Sequence, residues 1–185
     1  MPDIFSAFGL SASAGLNAYL PLLIVAVSAR LGAFQLREPF DALTSWWVIG
    51  VLVVLLLIEI FVDKIPAVDT ANDIIQTLIR PTAGAILFAA SANVITDISP
   101  VLSIILGLLV AGGVHAGKML ARPAFTVSTA GTANPVVSTV EDVISALTAL
   151  LSVLLPWLVM LIAVTGIVLF LWWRIRHAGR RPVRP

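Results

Sequence analysis

Cysteine is absent from the 185 residues, which excludes disulfides, thiolate metal sites and a cysteine nucleophile. Histidine is nearly absent: His115 and His177 are too few for a histidine-rich metal site. Charge is scarce as well. Lys, Arg, Asp and Glu make up 11% of the sequence, against about 25% in a soluble domain with a water-facing surface to cover. The net charge of +1 gives nucleic acid no electrostatic footprint. There is no phosphate loop of the Gly-Lys-Ser/Thr type and no serine nucleophile elbow. No cofactor is expected, and no catalytic residue stands out.

What is present is apolar: 59% of the residues are hydrophobic and the mean hydropathy is +1.06. The fold class that follows is all-α, a polytopic helical integral membrane protein whose main partner is the lipid bilayer. We read one domain over residues 1–185. Residues 1–29 carry no Lys or Arg, and the first apolar run continues past Ala12-Ser13-Ala14. It therefore reads as a retained span rather than a cleaved signal peptide.

Apolar runs of about 17 to 25 residues, the length that crosses a hydrocarbon core, divide the chain. Segment one runs from about Ile4 to Ala29, and a loop with Arg37, Glu38 and Asp41 follows. Segment two runs from Trp46 to Val62, opened by a tryptophan pair suited to the interface. Residues 66–80 predict a short amphipathic or re-entrant helix. Segment three runs from Pro81 to about Ile95, segment four from Val101 to about Leu120, and a polar loop from Arg122 to Pro135. Val143 to Trp173 is too long for one simple span, and Pro156 makes it one bent helix or two. The total is five or six membrane segments.

Arg174, Arg176, Arg180, Arg181 and Arg184 follow the last run with no acid among them. Residues 174–185 thus read as a basic cytoplasmic tail, which makes the chain a multi-pass protein of the cell inner membrane.

Apart from Asp3, Arg30 and Asp97, the remaining charges fall into two blocks. Glu59, Asp63, Lys64, Asp69, Asp73 and Arg80 form the first; His115, Lys118, Arg122, Glu141 and Asp142 form the second. Two apolar runs and a tight turn separate Arg80 from Arg122, which is the pattern of a helical hairpin. A hairpin returns the chain to the side it left, so both blocks are expected at one membrane face. Glu59 and Asp63 are four apart and share a helix face, just before a break that Pro66 imposes at Ile65. Pro66 then suits the first position of a new helix, whose polar stripe is Asp69, Asp73, Gln76, Thr77 and Arg80. That stripe is either a well-charged interfacial helix or the lining of a polar cavity. Glu59 lies one turn inside an apolar run, where acids are costly and seldom idle.

In the second block His115, Lys118 and Arg122 form a cationic ladder that either neutralises the first block or binds a solute. Ser138 and Glu141 fit a capping box at a helix start. Asp142, Ser145 and Ser152 continue a polar line, either interhelical hydrogen bonding or a cavity wall. Asn134 precedes Pro135 and is expected in a loop. Ser13-Ala14-Gly15-Leu16-Asn17 loosely echoes Thr129 to Asn134, as inverted repeats in transporters do. Gly113 and Gly117 offer a small-residue face for close helix packing, including a homo-oligomer.

Several of these runs resemble a known family. Gly15 to Leu23, Glu59 to Asp69, Arg80-Pro81-Thr82-Ala83-Gly84-Ala85, His115-Ala116-Gly117-Lys118, and Asn134-Pro135 with Ser138 and Glu141-Asp142 are similar to bacterial membrane proteins of domain of unknown function 4126. The resemblance covers most of the chain and implies a membrane protein, with no activity attached. Glu59-x-x-x-Asp63-Lys64 is also similar to the Glu-x-Gly-Asp-Lys/Arg motif of a cation exchanger family, one residue longer and without the glycine. Asp69-x-x-x-Asp73 is similar to the metal-diphosphate motifs of intramembrane prenyltransferases, with no second copy.

Three functions stand open on these residues. One is a secondary transporter or channel-like carrier of a small solute or ion, with the facing blocks and Asn134 as its binding or coupling site. Another is a structural or assembly subunit whose charges are internal ion pairs. The third is an intramembrane enzyme on a lipid-linked phosphate, with a metal held by first-block acids.

Overall fold

Runs this apolar leave helix as the one way to satisfy every backbone group within a short segment in lipid. The computed structural model describes residues 4–63, 66–92, 99–129 and 132–178, and among these the regular structure is entirely helical. In chain order the helices are α1 (Ile4–Leu16), α2 (Tyr19–Arg30), α3 (Trp46–Val62), α4 (Pro66–Ala92), α5 (Pro100–Thr129), α6 (Asn134–Leu154) and α7 (Pro156–Ala178), with a short 3-10 turn at Phe40–Thr44. Four helices are long and apolar enough to cross a membrane: Ile74–Ser91 within α4, then α5, α6 and Pro156–Arg176 within α7. α1, α2 and α3 are shorter apolar helices. The chain is a multi-pass membrane protein by this measure.

Several boundaries differ from the sequence expectation, each for a local reason. Segment one is two helices, because the Asn17 side chain interrupts it. Its Oδ1 accepts from the N–H groups of Tyr19 and Leu20 at 3.0 Å each, and so serves the first turn of α2. The expected short helix at 66–80 does not stand alone. It begins at Pro66 as read, but α4 continues through Pro81. A proline removes one N–H and bends a helix, and packing on both sides of Arg80 keeps this one continuous. α5 likewise runs through Pro123 to Thr129, shortening the expected 122–135 loop. Asn134 and Pro135 then form the first turn of α6, where a proline costs little because its N–H would have no partner anyway. Pro156 divides the last stretch into two helices.

α1 is the hub, packed against α4, α5, α6 and α7. Small residues set its approach. A Cβ added at Gly15 would meet the Ala111 carbonyl oxygen and Val114 on α5, and one at Gly9 would meet Ser152 on α6. α4 and α5 close on each other the same way: a Cβ at Gly84 would strike Ala111, and one at Gly107 the backbone of Gly84 and Ala85. Serines then tie α1 to its neighbours. Ser6 donates to the Ser152 carbonyl at 2.7 Å, Ser11 to that of Gly84 at 2.6 Å, and Ser13 to that of Ser145 at 2.8 Å. These pairs run α1 antiparallel to both α4 and α6. The polar line through Ser145 and Ser152 is thus interhelical hydrogen bonding. Gly113 and Gly117 lie on the open side of α5, where an added Cβ would meet nothing. Phe8 and Phe88 pack edge to face at 5.0 Å between ring centres in the apolar half of the bundle.

Candidate functional site

The α4–α5 hairpin brings the two charge blocks together. Arg80 lies six residues into the apolar stretch of α4 that begins at Ile74, roughly 9 Å along the helix axis at 1.5 Å per residue. It is fully buried, and its Nη2 donates to Glu59 Oε1 at 3.1 Å and stands 3.9 Å from Asp63 Oδ2. Its Nη1 lies 3.2 Å from His115 Nδ1 on α5. Arginine can only donate, so that ring nitrogen accepts and the ring proton sits on Nε2. Nε2 is 3.1 Å from Thr77 Oγ1.

Asp63 caps the end of α3 and accepts from Asn72 Nδ2 at 2.7 Å and from Ser138 Oγ at 3.4 Å. Ser138 sits inside α6, so it bridges to the first block instead of capping a helix. Glu141, also expected to cap, accepts from two bases: Lys118 Nζ at 3.0 Å and Arg122 Nη2 at 3.2 Å. Asp142 accepts from Asn17 Nδ2 at 2.9 Å. Asn17 therefore joins the α1–α2 break to α6. Asn134 is buried and takes the Thr126 hydroxyl at 3.1 Å. Asn17 and Asn134, the last residues of the two similar runs, both stand at helix breaks.

Glu59, Asp63, Arg80 and His115 thus form one polar cluster across α3, α4 and α5, Lys118, Arg122 and Glu141 a second between α5 and α6, and Asp142 with Asn17 and Asn134 with Thr126 two further pairs; together these make up the polar network of the site. Lys64 and the side chains of Asp69 and Asp73 lie outside the described residues. Sequence reasoning passed over Tyr19, which borders Glu59, Gln76 and Arg80. A single tyrosine in an apolar run gives no periodic signal. Asn17 entered only within a weak repeat and the Gly15 to Leu23 run, with no role attached to it.

The family model described as Domain of unknown function (DUF4126) matches residues 4–176. The chain belongs to that family. The DUF4126 match takes in the whole network from Asn17 to Asp142. No curated protein and no solved structure matches the chain.

Within the network, Glu59 Oε2, Gln76 Oε1 and Arg80 Nε are buried without a hydrogen-bond partner. An apolar cleft of about 580 Å³ lies apart from it, between α7 and the α1, α5 and α6 faces, lined by Phe5, Phe8, Val114, Leu151, Val159 and Ile167. Among the described residues no group of three His, Cys, Asp or Glu side chains could hold a metal ion.

Proposed function

We propose that this DUF4126 protein is a small secondary transporter or channel-like carrier of a small solute or ion, with the buried network as its binding or coupling site. The observation that carries this reading is the union of a helix break with intramembrane charge. Asn17, at the α1–α2 interruption, contacts Asp142 at the level where Arg80 serves Glu59 and Asp63. Interrupted helices beside ionisable groups are how secondary carriers build sites near the bilayer midplane, and such groups are costly enough in lipid to be kept for a task. The same reading has the inner membrane as its location and the basic tail in the cytoplasm. A homo-oligomer through the open Gly113 and Gly117 face belongs with it.

The structural-subunit reading has one observation in its favour: Arg80 closes directly on Glu59, as an internal ion pair would. Glu59→Gln separates the two. Gln keeps the shape, and it leaves Arg80 and Asp63 as a balanced one-to-one pair, so the fold is expected to survive. The carrier reading expects Glu59→Gln and Asp63→Asn to insert and elute as wild type in detergent, yet to fail in complementing a deletion strain. Full complementation by both variants would favour the subunit.

A further inference from the structure

Two buried acceptors in the network have no donor. Glu59 and Gln76 are each 2% exposed, and Glu59 Oε2 and Gln76 Oε1 are without a hydrogen-bond partner. Both side chains border Tyr19, whose hydroxyl is hydrogen bonded to Gln76 and lies near Glu59. Two acceptors cannot satisfy each other. A proton on Glu59 Oε2 would turn that oxygen into a donor, and Gln76 Oε1, beside the same tyrosine, is the unpartnered acceptor it could serve.

The charges around Glu59 point the same way. Asp63 stands on the same helix end, Arg80 on α4, and Asp142 faces Glu59 from α6. Glu59 and Asp63 share the Arg80 guanidinium, but Asp63 has Asn72 and Ser138 besides. Glu59 is the less well served of the two. His115, on α5, stands behind Arg80 with its Nδ1 3.2 Å from Nη1. A metal cation suits the place poorly: it needs several oxygens at once, and a guanidinium already holds this carboxylate at 3.1 Å.

We infer that the cation this site takes is a proton, carried on Glu59 Oε2 and held by Gln76 Oε1, which supplies the coupling ion for the carrier reading on which it rests. Loading takes one proton from hydronium and leaves water. Release returns it, and the only bond made or broken is O–H.

The test is infrared difference spectroscopy of the full chain in liposomes, titrated across about pH 5 to 9, the range reached by buried carboxyl groups. A protonated-carboxyl band is expected to grow as the pH falls, to vanish in Glu59→Gln, and to persist in Asp63→Asn. If Glu59→Gln does not insert, Glu59→Asp serves, with the band moved but not lost. Gln76→Leu removes the acceptor and is expected to cut the ratio of protonated to ionised carboxyl at a given pH by roughly threefold to tenfold, the worth of one hydrogen bond. Replacing choline chloride with sodium chloride is expected to change nothing.

A band indifferent to Glu59→Gln overturns the inference. So does displacement of the band by sodium, which would make the ligand a metal cation. A rise in the protonated fraction in Gln76→Leu also overturns it, since the amide would then have been donating. Complementation keeps the two readings apart. A titrating Glu59 whose Gln variant still complements sinks the carrier reading alone. A silent Glu59 whose Gln variant fails to complement sinks the proton alone.

Discussion

Arg80 serves two carboxylates and an imidazole from a fully buried position. Its removal strands two anions that lipid and neighbouring helices cannot solvate. Arg80→Ala is expected to destabilise the fold by about 3–5 kcal/mol, the scale for breaking one side of a buried pair. Adding Glu59→Gln to it leaves Asp63 alone, still bonded to Asn72 and Ser138, and is expected to recover much of the loss. Thermal unfolding of the purified variants in detergent checks both, and a double variant no more stable than Arg80→Ala would refute the shared-guanidinium arrangement. That Glu59 is buried was legible from its place inside an apolar run; Asp63 and Arg80 were legible as neighbours in the same charge block. Their pairing was not, because a long side chain chooses among acids by tertiary position. Glu141 shows the limit from the other side: its spacing from Ser138 matched a cap, while its partners are Lys118 and Arg122 from another helix.

Among the elements, the α4–α5 hairpin was the most legible, since two apolar runs around a tight turn have few other arrangements. Its ends were not, because Pro81 and Pro123 look like stops and are bends within helices. What holds the hairpin is proximity of backbone, and this predicts unequal sensitivities. Gly84→Leu drives a branched side chain into Ala111 and is expected to cost about 1–3 kcal/mol or to abolish assembly. Ser13→Ala, which removes a hydroxyl bonded to the Ser145 carbonyl and hydroxyl, is expected to cost only about 0.6 kcal/mol, the average for interhelical hydrogen bonds in lipid. Unfolding of both variants in the same detergent gives the comparison, and a serine variant worse than the glycine variant would put hydrogen bonding ahead of close packing.

For the whole molecule, α7 follows α6 by reversing at Pro156 and passes back along α1, with Val159 and Ile167 on the cleft that Phe5 and Phe8 also line. The carrier reading puts the basic tail in the cytoplasm by the positive-inside rule, and on it a reporter fused after Pro185 that is active only outside the cytoplasm is expected to stay silent. An active reporter would reverse the molecule and the facing of its network with it. The hub position of α1 has a consequence for biogenesis. In order of synthesis α1 precedes α4, α5, α6 and α7, against which it packs. Until they arrive, Ser6, Ser11 and Ser13 wait in lipid with no carbonyl but their own helix's to bond. Assembly of α1 thus depends on long-range contacts, and a nascent chain stalled before α6 is expected to be the form most in need of protection.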